Sequence, residues 1–140
     1  MVGRFLKAQD SSEELPTYED ALREIRNGRK QSHWIWYIFP QLKELGSSSM
    51  AKFYGIRDLA EAKEYLADPT LRSRLIEISQ ALLDLPLNDP LAVMGSPDDK
   101  KLRSSMTLFD AADPDCRVFR QVLDKFFRGE PDPHTLDLLK

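Results

Sequence analysis

Five of the nine prolines in this 140-residue chain directly follow an aspartate or a serine: Asp68-Pro69, Asp89-Pro90, Ser96-Pro97, Asp113-Pro114 and Asp132-Pro133. Each pair is a helix-start signal. The Asp or Ser side chain at N-cap accepts one of the orphan backbone N–H groups, and proline at N1 loses nothing by lacking its own. A chain punctuated this way reads mostly as short helices.

Apolar spacing agrees. Tyr18, Ala21, Leu22 and Ile25 form one helical stripe, with Thr17 expected at N-cap and Gly28 at C′. Leu71, Leu75, Ile78, Leu82 and Leu85 form a second that predicts a core-facing helix, and Phe119, Val122, Leu123, Phe126 and Phe127 a third that stops at Gly129. Leu59, Ala62, Tyr65 and Leu66 mark a shorter helix, and residues 133–139 a last one. The fold expected is all-α, one domain over residues 1–140, with about seven short helices.

Residues 33–39 are ambiguous, because HWIWYIF has strand propensity and yet suits a buried helix. A lone strand leaves its backbone groups unpaired, so the helix is expected; the alternative is a minor two-stranded pairing of 33–39 with 52–56. Pro40 ends the segment in either case, and Gly46-Ser47-Ser48-Ser49 reads as a flexible loop.

Composition narrows the function classes. The chain is 41% hydrophobic and 31% charged, as expected of a globular protein. Its net charge of −3 makes a nucleic-acid partner unexpected. Cys116 is the single cysteine, which excludes an intrachain disulfide and a multi-cysteine zinc site. His33 and His134 are far apart with no clustered carboxylate loop, so no metal is expected. No segment approaches the roughly 18 apolar residues of a membrane span, and Val2 stands where an acylation motif needs glycine. A cytoplasmic location with no membrane partner is the expectation.

Two segments concentrate polar chemistry. In the first, Arg29, Lys30, Ser32 and His33 lead directly into Trp34 and Trp36, the two tryptophans of the chain. Cations, a hydroxyl and an imidazole beside stacking rings suit an anion joined to a planar group. The plainer explanation is that Arg29 and Lys30 are solvated cations after a helix end and His33 a boundary residue. In the second segment, 96–109, a helix from Pro97 places Lys100, Arg103, Ser104 and Thr107 on one stripe, a phosphate-binding wall. Asp98 and Asp99 suit the helix N-terminus, with Ser96 and Asp99 as a capping box. As catalytic candidates, Asp98 or Asp99 would be the general base or orient a water, with His33 the acid partner. No complete catalytic signature is present, no cofactor is specified, and Cys116 fits a small core residue opening a helix.

At GRKQSHWIWYIFPQL and SPDDKKLRSSMTLF the chain closely resembles a family of short, mostly bacterial proteins of unknown function that sometimes carry the label calpastatin, for which nothing in the sequence argues. RFLKAQD, FYGIRDLAEAKEYLADPTLRSRL and FRQVLDKFFRGEPDPHTLDLL extend the resemblance over nearly the whole chain. The family resemblance implies an all-helical fold. Relatives read closer to GLGRS where this chain has Glu44-Leu45-Gly46-Ser47-Ser48, and they lack the Ser11 to Pro16 insertion. The helical outline also resembles, at fold level alone, NAD- and ADP-ribose-associated proteins that cleave N-glycosidic bonds.

The function expected is a pocket for a phosphorylated or nucleotide-like small molecule, ADP-ribose or NAD being related candidates. Its walls are Arg29, Lys30, Ser32, His33, Trp34 and Trp36 against Lys100, Arg103, Ser104 and Thr107, which requires the two segments to meet. The alternative is a helical protein–protein interaction module without a small ligand, presenting an apolar patch and open to homo-oligomerisation.

Overall fold

The computed structural model describes residues 2–11 and 15–140. Its elements are α1 (Gly3–Asp10), α2 (Tyr18–Arg26), α3 (Ile35–Ile38), α4 (Ser49–Tyr54), α5 (Leu59–Ala67), α6 (Pro69–Leu83), α7 (Pro90–Met94), α8 (Asp98–Ala112), α9 (Val118–Phe127) and α10 (Pro133–Leu138), with a 3₁₀ turn at Lys43–Leu45. The all-α expectation holds, with about ten helices rather than seven. The additional ones, such as α4 and α7, are too short to show an apolar period.

Three of the five proline pairs start helices as expected. Asp68 accepts from the amides of Thr70 and Leu71, Asp89 from Leu91 and Asp132 from Thr135, each with proline in the first turn. Thr17 and Asp20 form a capping box at the start of α2. The other two pairs behave differently. Asp113 closes α8, its carboxylate 3.0 Å from Arg72, and α9 begins only at Val118. Cys116 therefore sits in the intervening turn, partly buried against the core. At Ser96-Pro97 the peptide is cis, Pro97 occupies N-cap without a side-chain cap, and Asp98 and Asp99 become the first helical residues. The expected Ser96–Asp99 capping box does not form.

The 33–39 segment is a single helical turn preceded by Trp34 and stopped before Pro40. The alternative pairing with 52–56 is corrected in the same way: Ser48 caps α4 through the Ala51 amide, which makes 49–54 helical. What remains is one isolated parallel bridge, Leu42 with Ile56, where Ile56 N donates to Gln41 O and Lys43 N to Ile56 O. Gly55 permits this approach, since a Cβ there would lie 2.4 Å from Lys43 Cα.

Helix α8 is the centre of the packing. It lies against α9, α5, α7, α10 and α3, while α6 packs on α9, α2 and α5. Its apolar residues Leu102, Met106, Leu108 and Phe109 are buried, and the rings of Phe5, Tyr65, Phe109 and Phe119 follow one another at 5.1, 5.1 and 5.9 Å between centroids. The Lys125 ammonium closes the C-terminal end of α6 by donating to the carbonyls of Leu82, Leu83 and Leu85. Among the described residues no helix is long and apolar enough to cross a membrane.

Candidate functional site

The polar lead-in before α3 is built around one buried carboxylate. Glu24, on the inner face of α2, accepts from the amides of Gln31 and Ser32 at 2.7 and 2.9 Å, from the Ser32 hydroxyl, and from Trp34 Nε1 at 2.9 Å. Burial by itself would raise the Glu24 carboxyl, yet these donors hold it below the ordinary carboxylate range. The loop is thereby folded back over α2. Its Lys30 side chain, only 6% exposed, donates to Ser32 O, lies 4.9 Å from the Trp34 ring centroid and pairs with Asp98 at 2.8 Å. The two segments singled out in the sequence therefore meet through Lys30 and Asp98.

Beside this contact, a partly open cavity of about 220 Å³ lies between α3, α4 and the start of α8. Ile35, Trp36, Phe39, Ala51 and Tyr54 supply aromatic and aliphatic walls, and Gln41 and Lys101 supply polar groups. The Lys101 ammonium stands 5.8 Å from the Trp36 ring centroid and 3.7 Å from Asp98. Burial pushes the Tyr54 phenol up, against a smaller lowering by Arg4, so it stays neutral and able to donate. Among the described residues, the buried side-chain polar atoms without a hydrogen-bond partner are Trp36 Nε1, Asp99 Oδ1 and Ser105 Oγ. All three belong to the same two segments.

Residues 1–139 match the family described as Protein of unknown function (DUF1810). The chain belongs to this family. Its fold is similar to that of the conserved hypothetical protein Rv1873 from Mycobacterium tuberculosis, whose crystal structure was determined at 1.38 Å. The two are 40% identical with a TM-score of 0.92, over 99% of this chain and 95% of that one. No curated protein matches the chain. The family resemblance carried by the two quoted motifs is thus borne out. Of the Ser11 to Pro16 insertion, residues 12–14 lie outside the described residues.

The remaining candidates take several different places in this family member. Trp34 is fully buried, with its ring nitrogen committed to Glu24, and Ser32 is held by the same carboxylate. Arg103 donates to the carbonyls of Glu130 and Pro131, Ser104 to Asp132, and Thr107 accepts the Asp132 amide. That stripe docks α10 onto α8. Arg29 is exposed and, with Lys30, lines a separate depression against residues 91–95. His33 and Lys100 are exposed, and Asp99 is half-buried. Sequence reasoning passed over Gln41, Tyr54 and Lys101. Lys101 carried a usable signal, since it follows Asp98 by three residues and so meets it on one helix face. Gln41 and Tyr54 join the cavity only through the Leu42–Ile56 bridge, which no local pattern announces.

Proposed function

We propose that this protein binds a phosphorylated or nucleotide-like small molecule in the cavity between α3, α4 and the first turn of α8. The supporting observation is the shared location of the three unpartnered buried polar atoms, Trp36 Nε1, Asp99 Oδ1 and Ser105 Oγ. An unpaired buried donor or acceptor costs about 1–3 kcal/mol, so native proteins keep few of them and chiefly where another group completes them. An indole N–H, an amide, a phenol and an ammonium around aromatic walls suit a planar head with an anionic substituent. Arg29, Arg103, Ser104 and Thr107 have no part in this narrower site.

A thermal-shift screen with nucleotides, ADP-ribose, NAD and sugar phosphates tests the proposal. A ligand at a hundred times its dissociation constant adds about 2.7 kcal/mol, which raises Tm by roughly 10 °C in a domain of this size. Trp36→Phe and Lys101→Met diminish the shift, whereas Arg103→Met lowers the starting Tm and leaves the increment intact. Absence of a shift with every compound, or an increment indifferent to Trp36→Phe and Lys101→Met, overturns it.

A further inference from the structure

We infer that Lys101 is the ligand-facing cation of this cavity and that Lys30 keeps it available by neutralising Asp98, so that the site takes one anionic group on a planar head rather than a polyphosphate. The inference rests on the binding reading above.

Asp98 stands between two ammonium groups that are not equivalent. Lys30 is 2.8 Å away with its side chain 6% exposed, while Lys101 is 3.7 Å away and 27% exposed. Attraction falls with distance and with exposure to water, so the Asp98 charge is committed mainly to Lys30. Lys30 cannot turn outward, because Ser32 O and the Trp34 ring hold the same ammonium. Lys101 has one loose ion pair, three donors and a position on the cavity wall, where it is the charged residue among those lining it. Two ammonium groups and one carboxylate leave a single positive charge.

That charge sets the ligand class. A lysine is a compact point charge, and the guanidinium that would grip a diphosphate in a fork, Arg103, is held by backbone carbonyls. Asp99, in the same turn of α8, adds a second carboxylate that works against a polyanion. At about 220 Å³ the cavity suits one ring system; sites for larger ligands run from about 300 to 1,000 Å³. The ring heteroatoms would meet Trp36 Nε1, Gln41 and the neutral Tyr54 phenol. ADP-ribose and NAD, with a pyrophosphate and two ring-bearing halves, are disfavoured on both charge and size.

Calorimetric titration of the full chain with adenosine monophosphate, phenyl phosphate and ADP-ribose tests this. Both monophosphates bind at least about tenfold more tightly than ADP-ribose, and Lys101→Met weakens them by about tenfold or more. Lys30→Met weakens them comparably, because Asp98 then draws in Lys101. Adding Asp98→Asn to Lys30→Met restores affinity to within about threefold of the parent. A folded double variant without that recovery overturns the inference, as does unchanged affinity in Lys101→Met. If Lys30→Met alone does not fold, Lys101→Met and the order of the three probes still decide. Tighter binding of ADP-ribose than of both monophosphates rejects the single-charge assignment while leaving the cavity as a binding site. No binding by any probe in the calorimeter or the thermal screen rejects both.

Discussion

At the scale of single residues, two buried glutamates organise the ground beneath the site. Glu24 folds the 28–34 loop, and Glu61 receives the Arg4 guanidinium on both oxygens at 3.2 Å together with the Arg57 amide at 2.8 Å. Burial acts to raise both carboxyls, and their hydrogen bonds and charge partners prevail, so both titrate below the ordinary value of 4.5. Their contribution to stability follows from that sign. Near pH 4.5 the unfolded chain binds more protons than the folded one, so this stabilisation is complete at higher pH and declines as pH falls through the lower folded values. Urea midpoints measured between pH 7 and pH 3 should fall on the acid side accordingly. Glu24→Gln replaces a carboxylate that accepts four donors by an amide oxygen that cannot, at a cost of about 1–3 kcal/mol at pH 7 and with a shallower acid limb.

At the scale of elements, identical dipeptides have different consequences because a carboxylate serves whichever donor reaches it first. Asp68→Ala removes the cap of α6 and is expected to cost about 1 kcal/mol, with faster amide exchange confined to the first turn. Asp113→Ala removes only a partly exposed pair with Arg72 and should stay within about 0.5 kcal/mol by the same denaturation assay. Local capping and apolar period made α2, α5, α6, α9 and α10 legible from the sequence. They failed at Asp113-Pro114, where a distant arginine competes, and at 49–54, where a serine-rich approach and an aromatic end concealed a capped helix. The site was legible in part for a related reason. Both segments were visible as dense polar runs, but the azimuth of each cation on α8 acquires meaning only from its neighbour, and α10 claims Arg103, Ser104 and Thr107 while α3 faces Lys101.

At the scale of the molecule, the central position of α8 joins the candidate site to the main core. Phe109, fully buried between Tyr65 and Phe119, lies on the same helix as Asp98 and Lys101. Phe109→Ala is expected to cost about 3–5 kcal/mol and, in calorimetry, to lower one cooperative transition rather than divide it. Helix α1 is attached in a different manner. Its buried Gln9 donates to Tyr37 O and Tyr65 Oη and accepts from Arg74, partners 28, 56 and 65 residues further along the chain. On a translating ribosome, the first helix to emerge therefore waits for more than half of the polypeptide before its anchors exist. The beginning of this protein is made early and seated late, and until Arg74 has left the exit tunnel the ring of Phe5 has no finished pocket to enter.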